Sequence, residues 1–208
     1  MTGFTGLTSR LPESVILTDD PMRARMLAAH WLENATQIYE LRGMAGYTGS
    51  YKGAEIALLS SGYGESAALL YLHEAVRLGA RRVVYMGECI SHHTDVRLRD
   101  IVIPEGGDAV LLRRALAASK EYGIPVKALP VATDDRFFLR EVPASAEVTD
   151  FAAGAVAEYA AGHGIAALSV LTVSRNTKSG EAVEEHERQS RFHDAARLVF
   201  ETLANDKN

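Results

Sequence analysis

One almost wholly apolar segment, residues 165–173, constrains the fold more than any other part of the chain. Only Ser169 and Thr172 interrupt its run of apolar side chains. A strand with so few polar positions is covered on both faces, as in sheets that have helices packed on their two sides. The segment therefore predicts a buried strand in an α/β protein.

The rest of the chain alternates between strand-like and helix-like segments. This interleaving predicts an α/β class built around a largely parallel or mixed sheet. We find no repeat, no low-complexity region and no linker, so residues 1–208 are predicted to form a single domain. The expected strands are 15–18, 37–41, 55–60, 82–86, 100–104, 125–132 and 165–173, and the main expected helices are 65–78, 108–122, 150–163 and 181–204.

Charge and cysteine content exclude several classes of protein. The chain has 27 acidic residues against 22 lysines and arginines, whereas nucleic-acid-binding proteins usually have a basic excess. No apolar run approaches the length of about 18 residues that a membrane span needs. The single cysteine, Cys89, rules out an internal disulfide and indicates a reducing compartment. The N-terminal residues lack the order of a signal peptide, so we expect a cytoplasmic protein.

The turn after the first strand has the form of a ligand-binding turn. Asp20 is suited to cap a helix that begins at Pro21, and Arg23 follows one turn later. Strand-to-helix turns of α/β proteins often hold anions at the helix N-terminus. Asp19 conflicts with that use, because a carboxylate in the turn would repel an anion.

Polar or glycine-rich turns also follow the other expected strands, at 61–64, 87–91 and 174–178. In such sheets the ligand lies where strand ends converge, so these turns are expected to meet residues 18–23. The adjacent His92 and His93 do not predict a metal site, because only Asp95 stands at a suitable spacing.

Several motifs occur together in an order that resembles a known family. They are Asp20-Pro-x-Arg23, the glycine-rich block Arg42-Gly-Met-x-Gly-x-Thr-Gly-x-Tyr-Lys-Gly53, Leu98-Arg-Asp-x-Val102, Thr172-Val-Ser174, and Glu187-Arg-Gln189 with Phe192. In this order they resemble the bacterial hexameric purine nucleoside phosphorylases, within the wider family of uridine phosphorylases and adenosylhomocysteine-type nucleosidases. The glycine-rich block is the most specific part, and the resemblance extends from about residue 15 to 203.

The resemblance implies a fold, a reaction and an assembly. The fold has three layers, with helices on both sides of a mixed, twisted central sheet. Phosphate attacks the anomeric carbon of a nucleoside and releases the base, through a transition state like an oxocarbenium ion. No cofactor takes part. The assembly is a homodimer or homohexamer in which Arg42 reaches the site of the adjacent subunit.

The resemblance also indicates that the phosphate site has changed. The family's arginines are kept as Arg23 and Arg42, but Asp19 replaces a glycine, Tyr85 replaces a central arginine, and Glu88 replaces a serine or threonine. Two like charges a few ångströms apart repel by about 4 kcal/mol at an effective dielectric of 20. We therefore expect Arg23 and Arg42 to pair with Asp19 and Glu88, and phosphate binding in the family's manner to be lost.

The nucleoside region differs from the family pattern as well. Tyr63 stands at a methionine of the ribose pocket, and Phe151 and Ala152 stand in a Glu-Met-Glu segment whose second glutamate binds the ribose hydroxyls. A methyl side chain at 152 cannot accept those hydrogen bonds. Arg175 stands where purine-specific members place the acid that protonates the leaving base, and uridine phosphorylases have an arginine nearby. Arg188 matches an arginine that acts with that acid.

Ordinary structural roles compete with several of these interpretations. Arg23 could be a solvent-exposed helix residue, Arg42 could cap a turn, and Asp19 could interact with the helix dipole. Tyr63 and Phe151 are the kind of aromatic residues that often belong to the core. A carboxylate directly after an apolar strand needs a partner, so for Glu88 we favour a role in the site.

Three functions remain open from the sequence. The first is a nucleoside phosphorylase with a remodelled site. The second is a phosphate-independent nucleoside hydrolase in which Asp19 or Glu88 positions water as general base. The third is a non-catalytic relative that binds a nucleoside or another small molecule. The kept arginines favour the first two, and the altered ribose and leaving-group positions favour the third.

Overall fold

The computed structural model describes residues 3–136, 146–184, 186–187 and 192–204, which contain ten strands and five helices. The strands are β1 (Ser14–Thr18), β2 (Glu33–Leu41), β3 (Met44–Tyr51), β4 (Ala54–Ser60), β5 (Arg82–Ser91), β6 (Ile101–Pro104), β7 (Val126–Leu129), β8 (Ala132–Thr133), β9 (Val148–Asp150) and β10 (Ala166–Asn176). The helices are α1 (Pro21–Trp31), α2 (Glu65–Arg77), α3 (Ala109–Tyr122), α4 (Ala153–His163) and α5 (His193–Leu203).

All ten strands belong to one mixed sheet, as the interleaved sequence pattern predicted. Its main path runs β2-β3-β4-β1-β5-β10-β6-β7. The central strands β4, β1, β5 and β10 are parallel, so their carboxyl ends lie along one edge. β2, β3 and β4 form antiparallel hairpins, while β9 pairs antiparallel with β5 beyond the end of β1. The carboxyl edge is where a ligand site is expected.

Helices cover both faces of this sheet, which confirms the three-layer arrangement. Ile16 of β1 belongs to the core under α1, α3 and α5, together with Phe200. Its neighbours Val15 and Leu17 belong to the core under α2 and α4, together with Leu72. The apolar segment that forms β10 likewise supplies side chains to both cores, which explains why it has so few polar positions.

The glycine-rich block forms two hairpins. Arg42 and Gly43 form the turn between β2 and β3 with φ of 54° and 81°, and Lys52 and Gly53 form the next turn with φ of 48° and 76°. Positive φ at both central positions matches the twist of the adjoining strands. Inside the hairpin, the ring of Tyr39 lies where any side chain at Gly46 would have to stand.

Several predicted boundaries were wrong, and three of them are near the candidate site or α5. Strand β5 continues through Gly87 to Ser91 instead of ending in a turn, because β10 and β9 both supply partners to its last residues. The expected helix 150–163 begins only at Ala153. The expected helix 181–204 is also shorter: residues 181–184 are not helical, Ala182 forms a bridge with Arg175, and α5 begins at His193. Within the described ranges, no helix is both long and apolar enough to cross a membrane.

Candidate functional site

The turn between β1 and α1 directs an arginine into the protein. Asp20 caps α1 and accepts hydrogen bonds from the backbone N–H groups of Met22 (2.7 Å) and Arg23 (3.2 Å). Pro21 occupies the first helical position, where it forgoes no hydrogen bond. With the helix fixed in this way, the side chain of Arg23 turns back beneath the ends of β1 and β5 and is only 2% exposed.

Arg23 is held between two buried carboxylates. Its Nη1 donates to Oδ1 of Asp19 at 2.6 Å and to Oγ1 of Thr18 at 3.2 Å, and its Nη2 donates to Oε1 of Glu88 at 2.5 Å. Asp19 and Glu88 are both 0% exposed. The pairing predicted for Arg23 is therefore confirmed, and its alternative role as a solvent-exposed helix residue is wrong. We call Asp19, Arg23 and Glu88 the buried triad.

The buried triad has more negative than positive charge when both acids are ionised. Burial raises the pKa of Asp19 from its ordinary 3.8 to about 6; Arg23 opposes this increase and Glu88 adds to it. Burial acts to lower the pKa of Arg23, but the two carboxylates raise it above its ordinary value. Within the described residues, Oδ2 of Asp19 has no hydrogen-bond partner although it is buried. A hydrogen-bond donor or a positive charge would complete the triad.

Tyr85 lies beside the triad on β5 and is 1% exposed. Burial raises its pKa well above the ordinary value, and the charges of Asp19 and Asp150 act in the same direction. Its ring packs over Gly87, where the side chain of any other residue would collide with it. The phenol therefore stays neutral and supplies no positive charge to the triad.

Two aromatic residues lie above the triad at the carboxyl edge of the sheet. Oη of Tyr63 donates to Oε1 of Glu88 at 3.3 Å. The rings of Tyr63 and Phe151 meet edge to face, 5.5 Å apart at 88°. Tyr63 is 50% exposed, which does not fit the alternative of a core residue. Ala152 differs. The sequence analysis placed it in the nucleoside region, but its side chain is buried in the core and offers no surface to a nucleoside.

Asp150 is a buried acid of this region to which the sequence analysis gave no role in the site. It is the last residue of β9, and its Oδ2 accepts from the N–H groups of Ala152 (2.9 Å) and Ala153 (2.5 Å) at the start of α4. Its Oδ1 accepts from Oγ1 of Thr133 at 2.5 Å. An acid just before an alanine-rich helix is a capping signal that could have revealed this role.

Two other predicted cations, Arg42 and Arg175, do not join the triad within the described part of one chain. Arg42 is exposed in the β2–β3 turn, and its Nη1 donates to the backbone oxygen of Phe4 at 2.9 Å. The expected pairing of Arg42 with Asp19 or Glu88 is therefore absent from the described part of a single chain. Arg175 is exposed on β10. Arg188 lies outside the described residues.

Two further residues have ordinary local roles. Cys89 is buried in β5, and burial raises the pKa of its thiol well above the ordinary value. The ring nitrogens of His92 lie 3.0 Å from Oγ1 of Thr177 and 3.1 Å from Oγ1 of Thr149. Among the residues that the structure describes, no group of three or more potential metal ligands is present.

Comparisons with known proteins identify the family. The family model described as Phosphorylase superfamily matches residues 13–107. A protein of Aliivibrio salmonicida, named purine nucleoside phosphorylase DeoD-type, is 31% identical over 91% of this chain and 92% of its own length. The chain belongs to the nucleoside phosphorylase family. A second relative, purine nucleoside phosphorylase DeoD-type 2 of Aliivibrio fischeri, has the same identity and coverage.

A solved structure supports the same fold for this member of the nucleoside phosphorylase family. The crystal structure of purine nucleoside phosphorylase from Toxoplasma gondii, in complex with immucillin-H, superimposes with a TM-score of 0.85. The match covers 99% of this chain and 98% of the other, at 19% sequence identity. The mixed sheet and its flanking helices therefore form the family fold, and the carboxyl edge of the sheet holds the buried triad.

Proposed function

We propose that this protein cleaves the N-glycosidic bond of a nucleoside at the edge where β1, β4 and β5 end. The proposal is supported by relatives named purine nucleoside phosphorylase, which align over more than nine-tenths of this chain. It is also supported by the position of the buried triad and of Tyr63 at the carboxyl ends of the parallel strands. In the family reaction the pentosyl group passes from the base to phosphate.

The residues at this edge suit a reaction that develops positive charge on a sugar. As the bond to the base breaks, the anomeric carbon becomes cationic, and nearby carboxylates stabilise that charge. Glu88 and Asp19 supply those carboxylates, and Tyr63 fixes one oxygen of Glu88. The adjacent rings of Tyr63 and Phe151 give a partly exposed apolar surface for the base or sugar.

The observation that carries the proposal is the double ion pair of Arg23 with Asp19 and Glu88. These ion pairs place two carboxylates at the carboxyl edge of the sheet, where a ligand is expected. They also occupy Arg23, the arginine that would receive phosphate. Phosphate could bind there only by displacing a buried carboxylate from Arg23. Breaking a buried ion pair costs about 3–5 kcal/mol.

Hydrolysis is a second candidate, and the unpaired Oδ2 of Asp19 favours it. A carboxylate with a pKa of about 6 is well suited to take a proton from water near neutral pH. In this version water attacks the anomeric carbon, its proton passes to Asp19, and the base leaves with the electrons of the broken bond. The free sugar is then the second product.

Base release from a panel of purine and pyrimidine nucleosides, with and without phosphate, tests both candidates. Release that requires phosphate supports phosphorolysis and overturns hydrolysis, whereas equal release without phosphate does the reverse. Saturable nucleoside binding in a thermal-shift assay, without release from any nucleoside, would contradict the catalytic proposal and favour a binding protein. A Glu88→Gln variant checks that any release comes from this site.

We further propose a homodimer or homohexamer in the cytoplasm, with Arg42 shared between subunits. The exposure of Arg42 supports this assembly, because its side chain is accessible to a second copy. Its backbone is held in a tight turn, and Phe4 accepts from its guanidinium, so its position on the surface is fixed.

A further inference from the structure

Residues 3–7 form a short segment that Glu74 ties to α2. Oε1 of Glu74 accepts from the backbone N–H of Phe4 at 2.6 Å, and its Oε2 accepts from the N–H of Thr5 at 3.2 Å. Oγ1 of Thr5 also donates to Oε2. One carboxylate therefore holds two consecutive residues of the segment, and we call residues 3–7 the N-terminal strap.

The carboxylate of Glu74 is almost completely buried under the strap. Glu74 is 7% exposed, and any side chain at Gly3 would collide with its carboxylate. Burial by itself would raise the pKa of Glu74, but the hydrogen bonds from Thr5 and Phe4 and the charge of Arg77 hold that pKa below its ordinary value. The carboxylate is therefore ionised near neutral pH, and its hydrogen bonds to the strap are charge-assisted.

The other end of the strap is anchored in the core. Oγ1 of Thr5, which is fully buried, accepts from the N–H of Leu7 at 3.2 Å. Between them the backbone of Gly6 has a φ of 85°, a conformation that favours glycine. Leu7 then packs into the core under α2 and α4. The strap is therefore held at both ends, by Glu74 and by the core.

The strap in turn holds Arg42. Nη1 of Arg42 donates to the backbone oxygen of Phe4 at 2.9 Å, and the N–H of the same residue is bound by Glu74. Burial raises the pKa of the nearby Tyr71; the charge of Arg42 opposes this increase and that of Glu74 adds to it. Both charged groups therefore lie close to one phenol. A continuous series of contacts runs from Glu74 through Phe4 to Arg42.

Arg42 depends on such support because it is exposed at a hairpin turn. Its long side chain has many rotamers, and holding it in one orientation costs conformational entropy. A guanidinium has several N–H donors, of which the oxygen of Phe4 engages one. The exposure of Arg42 leaves the rest of its guanidinium accessible to a second copy of the chain.

We propose that Glu74 is a positioning residue, which acts through the N-terminal strap to orient the guanidinium of Arg42 toward the site of a second subunit. This inference rests on the proposed glycosidic-bond cleavage and on the proposed sharing of Arg42. Glu74 does not touch the substrate in this role. It fixes in advance the orientation of a group that does, which lowers the entropy lost when the transition state forms.

The first test is a double-mutant cycle on base release. Glu74→Gln removes the charge and one acceptor oxygen, so we expect kcat/KM to fall by about tenfold as Arg42 becomes misplaced. In an Arg42→Ala background the same change should have no further effect, because the group that Glu74 positions is already absent. Glu158→Gln, an exposed acid on α4, is the matched control and should leave kcat/KM unchanged in both backgrounds.

Mixed oligomers give a second readout that a purely structural role would not produce. Glu74→Gln refolded with Glu88→Gln should recover base release, because a site with its own Glu88 then lies beside a subunit whose Glu74 and Arg42 are intact. Glu74→Gln refolded with Arg42→Ala should show no recovery, since both changes impair what a subunit supplies to its neighbour. If Glu74 served only its own subunit, the first mixture would not recover.

Hydrogen exchange and a second residue keep the test independent of one variant. In Glu74→Gln the backbone N–H groups of Phe4 and Thr5 should exchange about tenfold faster, a change that is measured without any substrate. If Glu74→Gln fails to fold, Thr5→Val removes the hydroxyl alone and should lower kcat/KM by about threefold. Thr5→Ser keeps the hydroxyl and should restore it.

The outcomes separate this inference from the proposed function. An equal loss of kcat/KM in both backgrounds, or no recovery in verified mixed oligomers of Glu74→Gln and Glu88→Gln, would overturn the inference and leave glycosidic-bond cleavage standing. Unchanged hydrogen exchange of the strap in Glu74→Gln would overturn it as well, because Glu74 would then not hold the strap. If the unaltered protein releases base from no nucleoside, the proposed function falls and this inference falls with it.

Discussion

Nη2 of Arg23 lies 2.5 Å from Oε1 of Glu88, although the two residues are 65 positions apart in the chain. Arg23 comes from the first turn of α1 and Glu88 from the far part of β5, and parallel pairing of β1 with β5 brings their elements together. Both side chains are buried, so the two opposite charges stabilise each other. In this member of the nucleoside phosphorylase family, the carboxylate of Glu88 therefore pairs with Arg23, at which phosphate binding was expected.

Removing the two carboxylates should restore anion binding. In Asp19→Gly/Glu88→Ser, Arg23 loses its ion-pair partners and needs an anion. We expect inorganic phosphate to bind at least about tenfold more tightly than to the unaltered protein, since one displaced ion pair is worth several kcal/mol. Isothermal titration calorimetry measures the affinity, with Glu158→Gln as control. Unchanged phosphate affinity would show that the carboxylates do not block the site.

Removing the cation should destabilise the fold. Arg23→Met leaves Asp19 and Glu88 buried without their counter-ion, so we expect the free energy of unfolding to fall by about 3–5 kcal/mol at pH 8. Urea denaturation measures the change.

Adding Asp19→Asn and Glu88→Gln to Arg23→Met should recover much of that loss, because the buried charges disappear together. Equal stability of the single and triple variants would contradict this account of the triad.

The buried carboxyl of Asp19 should make stability depend on pH. Burial raises its pKa from 3.8 to about 6, so the folded state holds a proton that the unfolded state has already released. This contribution is fully present below pH 3.8 and is lost as the pH rises through about 6. Its full size is about 3 kcal/mol, at 1.36 kcal/mol per pKa unit. Urea denaturation across pH 4–7 should show the fall, and Asp19→Asn should lack it.

Tyr63 should affect the substrate more than the fold. Tyr63→Phe removes the hydrogen bond to Glu88 but keeps the ring against Phe151, so we expect about a threefold rise in KM. Tyr63→Ala also removes the aromatic contact and should raise KM by about tenfold or more. Because Tyr63 is half exposed, melting temperatures should change little. A large loss of stability in Tyr63→Phe would indicate a structural role instead.

Arg42 offers a direct test of a shared site. If it reaches the site of a second subunit, Arg42→Ala and Glu88→Gln should each lower base release, and mixed oligomers should recover activity. Recovery is expected because a site with its own Glu88 can then lie beside a subunit that retains Arg42. The two inactive variants are unfolded, refolded together and assayed. A monomer by light scattering, or no recovery in verified mixed oligomers, would count against sharing.

The sequence predicted much of the fold because its signals are local. The apolar run that became β10 indicated a strand covered on both sides, and the glycines at 43 and 53 marked the two hairpin turns. Asp20 and Pro21 placed the start of α1 correctly. Element ends were less certain from the sequence, since the extension of β5 through Glu88 depends on partners from β9 and β10.

The sequence by itself determined which charged groups are present: Asp19 directly after β1, Glu88 in β5, and an Asp20-Pro21 turn that carries Arg23. Only the tertiary structure decided how those charges are paired. It joined Arg23 to both Asp19 and Glu88, left Arg42 on the surface against Phe4, and buried Ala152 in the core. Pairing depends on distance and burial, and both arise when β1 and β5 align in the sheet, which no local sequence pattern specifies.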